Sequence, residues 1–288
     1  MQPIHFYLSF AGSYRFANNE ATEALHRLGQ SVGVISLGKR LVLIEGENSS
    51  LDKQLYSHIL QNNFSNLVLL PSGGKGTLNA FDVSIKKILD KTLFGIEFFV
   101  LSDGDAGINI PSGGGDARVR ALSKYHLENY FLDAKVLSEC FAEMEQEDSW
   151  LRSPDEIEKT LREIATYFLN YATSIIVAGK LRQDVGNVGM MPKDVNKLEY
   201  DELVCAFINN PDKIKKCLRE NYEYMSGLLQ KTSDDWKLEF PGKPILKSFS
   251  KKANVPEGRL KSLYIKRSER FKENPFDEII EIFREFSK

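Results

Sequence analysis

Cysteine is scarce in this sequence, and its arrangement excludes a disulfide-rich domain and a cysteine-based zinc domain. The 288 residues contain three cysteines, Cys140, Cys205 and Cys217, which are widely spaced and include no C-x-x-C pair. An odd number of isolated cysteines does not build a disulfide framework, and the spacing does not match a zinc site. The sequence therefore predicts a protein of a reducing compartment, with the cytoplasm as the expected location.

Long apolar runs and an excess of charge of one sign are also missing. No stretch approaches the roughly 18 apolar residues of a membrane-spanning helix, and no N-terminal segment has the apolar core of a signal peptide, so we expect no membrane partner. Lysine and arginine total 38 against 40 acidic residues, and the resulting net charge of −2 does not by itself indicate nucleic acid. A length of 288 residues allows one large domain or two modest ones, and a hydrophobic content of 42% is typical of a globular protein.

A nucleotide-binding P-loop is absent as well. Residues 71–77, PSGGKGT, have the glycines and the lysine of such a loop, but Lys75 is followed by Gly76 where the pattern requires serine or threonine. Two interpretations stay open for this turn. Its free amides at a helix N-terminus can hold a phosphate with help from Lys75, or it is simply a tight turn.

The most informative features are two apolar runs that end abruptly in acidic residues. Residues 39–52 read KRLVLIEGENSSLD, with Glu45 directly after the apolar run, and residues 97–105 read EFFVLSDGD, with Asp103 and Asp105 at the end. Continuous apolar runs are typical of strands buried on both faces of a parallel sheet. Because the carboxyl ends of such strands meet at one edge, we expect the three carboxylates to gather there around a hard divalent cation.

This order of motifs resembles the Toprim domain, which topoisomerases, bacterial primases, recombination proteins and OLD-type nucleases share. The matching residues are Glu45 with Gly46, the glycine turn 72–74, and Asp103 with Gly104 and Asp105. The resemblance covers about residues 39–133 and implies an α/β fold, Rossmann-like, with a mostly parallel four-stranded sheet flanked by helices. The Glu128-Asn129-Tyr130 run is similar to one in the OLD branch.

The resemblance to OLD-type nucleases also implies roles for individual residues. Glu45, Asp103 and Asp105 would hold one or two Mg²⁺ or Mn²⁺ ions, with Asp52 or Glu128 completing a second site. Glu47 competes with Asp52, which is alternatively a helix N-terminal charge that the helix dipole favours. Lys243, within PGKP, would stand near the scissile phosphate, or else Lys243 is solvated beside a turn. A role for His126 as a base is less expected than a core or surface position.

The chain divides into three parts by its pattern. Residues 1–38 are an N-terminal segment whose pattern indicates no particular structure. Residues 39–138 form the predicted Toprim catalytic domain, and residues 139–288 form the predicted, mainly α-helical C-terminal region. A fourth strand is expected at 118–122. A capping box at 153–156 opens a long amphipathic helix whose apolar face runs from Ile157 to Ile175. Further helices are expected at 78–89, 201–208, 212–229, 258–271 and 276–286, with a flexible connection at 185–193.

Charge is strongly segregated in the C-terminal region. Residues 243–272 contain ten basic residues against two acidic ones, whereas residues 139–158 contain eight acidic residues and one basic one. Phe249, Tyr264 and Phe271 alternate with these cations, which is the pattern of a surface that binds phosphates and stacks bases, although a solvated helix face gives the same pattern. The predicted phosphate-binding residues, besides Lys75, are Lys247, Lys251, Lys252, Arg259, Lys261, Lys266 and Arg267.

The sequence therefore favours a metal-dependent nuclease that hydrolyses phosphodiester bonds of DNA or RNA. The resemblance implies a part in anti-phage defence with an ABC- or AAA-type ATPase, in cis or in trans. A homo-oligomer is an expectation only because symmetric oligomers are common among proteins in general. Because no Walker A sequence lies upstream, the ATPase was lost, was cut away, or is a separate polypeptide. The alternatives are a non-catalytic Toprim module that binds nucleic acid or docks a partner, and a nucleotide phosphotransferase or nucleotidase.

Overall fold

A computed structural model describes residues 40–45, 51–71, 98–104, 118–187 and 211–288. Among these residues, no helix combines the length and the apolar character that crossing a bilayer requires. Residues 1–38, the predicted helices at 78–89 and 201–208, and the turn that contains Lys75 lie outside the described residues.

A four-stranded parallel sheet forms one layer of the described part. Its strands are β1 (Arg40–Ile44), β2 (Leu67–Pro71), β3 (Phe98–Ser102) and β4 (Val119–Ala121), in the order β2-β1-β3-β4. All three pairings are parallel. The expectation of an α/β fold with a parallel sheet, helices beside it and a helical C-terminal region is confirmed.

Helices account for most of the remaining described chain. They are α1 (Leu51–Asn63), α2 (Ala134–Phe141), α3 (Pro154–Tyr167), α4 (Leu169–Asn187), α5 (Pro211–Gln230), α6 (Trp236–Glu239), α7 (Gly242–Lys252), α8 (Glu257–Ser268) and α9 (Asp277–Ser287). Single turns of 3₁₀ helix lie at Leu127–Phe131 and Trp150–Arg152. The predicted helix bounds for α5, α8 and α9 agree with these to within a few residues.

Alternation along β1 explains why every residue of the strand after Arg40 is apolar. Val42 and Ile44 belong to the large core on one face of the sheet, and Leu43 packs with Val100 on the opposite face. All four side chains are at most 3% exposed. A strand buried on both faces cannot carry polar residues, so the polar positions are confined to its ends.

The C-terminal helix α9 packs against the sheet. The Arg40 guanidinium, at the start of β1, donates to the Phe286 carbonyl at 2.9 Å, and Phe286 packs on Phe99 with ring centroids 4.6 Å apart. At the other end of α9, Glu278 accepts hydrogen bonds from the amide and hydroxyl of Ser123, just beyond β4. Helix α9 therefore runs antiparallel to the strands and covers one face of the sheet, as a crossover helix does.

One helical prediction was wrong. The apolar pattern from Ile157 to Ile175 predicted a single long helix, but the structure has two, α3 and α4, with a break at Phe168. The Ser153 hydroxyl caps α3 as expected, by accepting from the Glu156 amide at 3.3 Å. After the break, the buried face of α4 consists of Leu169, Ala172, Ile176 and Val177. The break changes the register of the apolar face, so Tyr171 is 53% exposed.

Asn129 joins the sheet layer to the helical region. Its side-chain oxygen accepts from the amides of His126, at 2.9 Å, and Gly242, at 3.0 Å. Its side-chain nitrogen donates to the carbonyls of Lys237, at 2.7 Å, and Phe240, at 2.6 Å. Asn129 is 1% exposed, and these contacts use its full hydrogen-bonding capacity while satisfying four backbone groups. The Asn129 side chain thereby fixes the end of α6 and the start of α7 against the 3₁₀ turn.

Candidate functional site

Two predicted carboxylates lie at neighbouring strand ends. Ile44 of β1 is paired with Leu101 of β3, so Glu45 follows its strand at nearly the same level at which Asp103 follows Ser102. Both residues are half-buried. The chain passes from β1 to β2 on one side and then returns to β3 on the other, so Glu45 and Asp103 flank the point where the strand order reverses. Ligands of open α/β sheets bind at this point, and we call the ends of β1 and β3 with Glu45 and Asp103 the strand-end edge.

Gly104 fixes the backbone directly after Asp103. Its amide donates to the Lys124 carbonyl at 3.2 Å, and the Leu122 amide donates to the Ser102 carbonyl at 2.9 Å, so β3 and the residues after β4 stay paired beyond the sheet. A Cβ at position 104 would lie 2.3 Å from the Lys124 oxygen and 2.4 Å from the Leu122 oxygen. Only glycine allows this close approach.

The Gly104→Ala variant should therefore be less stable and should displace Asp103. The methyl group meets two backbone carbonyl oxygens, which cannot turn away as a flexible side chain can, and overpacking of this kind costs about 1–3 kcal/mol. Urea unfolding would measure the loss. Gly258→Ala is the matched control, because a Cβ at position 258 meets nothing within 4 Å. Equal stability of the two variants would contradict the role assigned to Gly104.

Tyr125 is a neighbour of Asp103 that the sequence did not single out. Burial raises the pKa of Tyr125, and Tyr171 and Asp103 raise the pKa further. Tyr125 directly follows Lys124, whose carbonyl accepts from the Gly104 amide, so the Tyr125 backbone lies beside the end of β3. Its position soon after β4 was the only signal in the sequence, since tyrosine in such a position is usually a packing residue.

The donor set at this edge suits a hard divalent cation. Mg²⁺ is typically held by one or two carboxylates together with waters and substrate phosphates, and Glu45 and Asp103 provide carboxylates of this kind. Asp105 lies outside the described residues, and Asp52 occupies the first turn of α1. Within the described ranges, no group of three or more potential metal-binding side chains is present. The described residues thus place two of the predicted carboxylates, Glu45 and Asp103, at neighbouring strand ends, and their role as metal ligands stays a prediction.

Glu128 lies in the interior, in an ion pair. Its carboxylate contacts the Lys261 ammonium at 2.9 Å, and Lys261 also contacts Glu257 at 3.1 Å. Burial alone would raise the pKa of Glu128, but the Lys261 ammonium holds this pKa below its usual value. Removing one partner from a buried pair costs about 3–5 kcal/mol. The metal-binding role predicted for Glu128 would require the carboxylate to leave this ion pair at a comparable cost.

Lys243 lies at the start of helix α7, not in a free turn. Its backbone amide donates to Nδ1 of His126 at 3.4 Å, while its side chain is exposed. Tyr125 packs edge-on against the His126 ring, with centroids 4.4 Å apart. The Lys243 backbone thus contacts His126, and the His126 ring packs on Tyr125, which follows Lys124 at the end of β3. The structure leaves the predicted role of Lys243 at a phosphate open to test.

The basic stretch is only partly an exposed surface. The exposed cations are Lys243, Lys247, Lys251, Lys252, Arg259, Lys266, Arg270 and Lys272. Lys252 pairs with Glu163 at 3.4 Å and Arg267 with Glu143 at 2.9 Å, so acidic residues of earlier segments offset part of the charge. Lys261, 5% exposed, is a buried ion-pair partner and not part of this surface.

The aromatic residues predicted to stack bases in this stretch are core residues. Phe249 and Tyr264 are both 0% exposed, and Tyr264 packs against Phe131 with centroids 5.1 Å apart. The prediction of stacking rings was therefore wrong at these positions. Aromatic residues at helical spacing more often fill a core than a surface, and α7 and α8 turn theirs inward.

Lys124 and Lys237 flank a small cavity that the sequence did not indicate. The cavity measures about 230 Å³ and also contacts Asp133, Asp234 and Pro275. Lys124 Nζ lies 4.3 Å from the centroid of the Tyr130 ring. Burial lowers the pKa of Lys124, and the Glu278 carboxylate opposes this change. Lys237 is paired with Glu158 at 2.7 Å and with Asp234 at 3.0 Å.

No protein-family model matches this chain, and no curated protein sequence matches it at a significant level of similarity.

Proposed function

We propose that this protein is a metal-dependent nuclease that hydrolyses phosphodiester bonds, of the kind found in Toprim nucleases of the OLD family. The observation that supports the proposal is the placement of Glu45 and Asp103 at adjacent ends of parallel strands, on either side of the point where the strand order reverses. Carboxylates at such a point are suited to Mg²⁺ and phosphate chemistry.

Glu45 and Asp103 would hold the divalent ion, with Asp105 as a further ligand. A bound Mg²⁺ or Mn²⁺ supplies an activated water and stabilises charge on the leaving oxygen. Asp103 is held in position by the paired backbone of Gly104 and Lys124. Glu45 serves either as a ligand or as a general acid or base, and both roles require its position at the strand end.

The exposed cations of α7 and α8 support nucleic acid as the substrate. Lys247, Lys251 and Arg259 are exposed, and cations of this kind bind the phosphate backbone without reading its sequence. A part in anti-phage defence, with an ATPase as regulator, follows from the resemblance and belongs to the same proposal.

A cleavage panel tests the proposed activity. Purified protein is incubated with supercoiled plasmid, linear duplex DNA, single-stranded DNA and total tRNA, each with Mg²⁺, Mn²⁺ or EDTA. We expect cleavage of at least one substrate with metal and none with EDTA. If every substrate stays intact with metal, with and without an added ATPase, while binding persists, the proposal fails and the protein is a nucleic-acid-binding module.

A further inference from the structure

A cleft lies between helices α4 and α5, outside the sheet. It measures about 350 Å³, which is at the lower end of the volumes of small-ligand sites. It is lined by Asn170, Thr173, Ser174, Leu218, Arg219 and Tyr222. The lining therefore combines an amide, hydroxyl groups, a guanidinium group and an aromatic ring.

Thr173 is the unusual member of this lining. It is 3% exposed, and among the described residues its hydroxyl is buried without a hydrogen-bond partner. The hydroxyl of Ser174, by contrast, donates to the Asn170 carbonyl at 2.7 Å. A buried unpaired hydroxyl costs about 1–3 kcal/mol, and threonine in a helix has two accessible rotamers. A polar ligand in the cleft would recover this cost by bonding to the Thr173 hydroxyl after a change of rotamer.

The lining includes one exposed aromatic ring, Tyr222, and two more exposed rings lie nearby in the sequence, Tyr171 directly after Asn170 and Tyr167 at the end of α3. Tyr222 is 44% exposed, Tyr171 is 53% exposed and Tyr167 is 82% exposed. Most large aromatic residues of the described chain are buried instead, Phe249 and Tyr264 among them. Rings that stay in solvent offer flat faces on which bases stack, and Arg219, exposed on α5, offers a cation for a phosphate.

Asn170, which lines the cleft, is followed along α4 by Tyr171, whose side chain is 53% exposed. An extended strand that crosses the cleft can therefore meet exposed rings. A duplex keeps its bases stacked inside, so only an unpaired base can enter.

We propose that the cleft between α4 and α5 binds an unpaired nucleobase of the substrate, with the base stacked on Tyr222 and in contact with Thr173. This inference rests on the proposed nuclease function, because it says that the nucleic acid which the nuclease binds is single-stranded at the cleft. Arg219 contacts the adjacent phosphate.

Binding in EDTA tests the inference independently of cleavage. Fluorescence anisotropy is measured with a short labelled oligothymidylate and with the same strand made of abasic sites. We expect the wild type to bind the thymidylate strand more tightly than the abasic strand. Stacking of one base is worth about 1–3 kcal/mol, or roughly 5- to 150-fold in affinity, and Tyr222→Ala should remove that difference.

Two further variants sharpen the test. Thr173→Val keeps the shape of the side chain and removes only the hydroxyl, so we expect its melting temperature to be unchanged or raised while its affinity for the thymidylate strand falls severalfold. Tyr224→Ala is the matched control, because Tyr224 is also on α5, is 51% exposed and interacts with Glu239 and Asp235. We expect Tyr224→Ala to bind as the wild type does.

The outcomes separate this inference from the nuclease proposal. Equal binding of the thymidylate and abasic strands by the wild type overturns the base-binding cleft, and so does an equal loss of affinity in Tyr222→Ala and Tyr224→Ala. Base-dependent binding that requires Tyr222 supports the cleft even where the cleavage panel detects no product. In that case only the proposed hydrolysis fails.

Discussion

Replacing Asp103 by asparagine is expected to abolish metal-dependent cleavage while leaving the fold intact. The amide has the shape of the carboxylate but lacks its charge, and the charge is what would hold a divalent cation at the strand-end edge. Loss of one group that stabilises transition-state charge typically costs about 10²–10³ in rate, and we expect at least about 100-fold here. Initial cleavage rates on the best substrate of the panel measure the effect.

Glu45→Gln should show a loss of similar size, because Glu45 stands at the adjacent strand end. Glu281→Gln is the matched control, since this exposed carboxylate lies on α9 and pairs only with the neighbouring Arg284 among the described residues. All three variants should melt within a few degrees of the wild type. An Asp103→Asn protein that cleaves at the wild-type rate would exclude the strand-end edge as the catalytic site.

The second large effect is expected at Lys261. Lys261→Met leaves the Glu128 carboxylate, whose side chain is 9% exposed, without its ammonium partner. Breaking a buried pair in this way costs about 3–5 kcal/mol of the free energy of unfolding. Lys266→Met, on the same helix but exposed, should change stability by less than about 0.5 kcal/mol. Urea unfolding of the two variants gives the comparison.

A double variant separates the cost of an unpaired charge from that of lost packing. Replacing both partners, as Glu128→Leu with Lys261→Met, removes the buried charge altogether and is often neutral for such pairs. We expect this double variant to regain most of the stability that Lys261→Met loses. Equal stability of Lys261→Met and Lys266→Met would show that the Glu128 ion pair contributes little.

The same ion pair predicts how stability depends on pH. Attraction to Lys261 outweighs burial and lowers the pKa of Glu128, so its contribution is present above the ordinary carboxylate pKa of about 4.3 and is lost as the pH falls further. Burial would lower the pKa of Lys261, but Glu128 and Glu257 raise it, so its contribution is lost only above the ordinary lysine pKa of about 10.4. In Lys261→Met the opposing charge is gone and burial raises the pKa of Glu128, so the variant loses stability as the pH rises through that raised pKa. The stability difference between wild type and Lys261→Met should therefore grow as the pH rises above about 4.3 and decline again above about 10.4.

Much of the strand-end edge could be predicted from the sequence. Strands buried on both faces must be apolar along their length, so the positions of Glu45 and Asp103 were evident from where the apolar runs stop. The Ser153 cap and the approximate bounds of α5, α8 and α9 also follow from local signals, since caps and helical periodicity depend on residues a few positions apart. These features are local, and the sequence by itself determined them.

Long-range packing decided the rest. Helical spacing shows which residues share a face, but not whether that face meets solvent or another element, so Phe249 and Tyr264 were assigned to a surface that they do not occupy. Lys261 looked like one more cation of a basic stretch until the fold brought Glu128, which is 133 positions away in the sequence, against it. The cleft between α4 and α5 and the position of α9 beside the sheet likewise depend on contacts between distant segments. Only the tertiary structure supplies such contacts, because they are set by which surfaces bury one another and not by the order of residues along the chain.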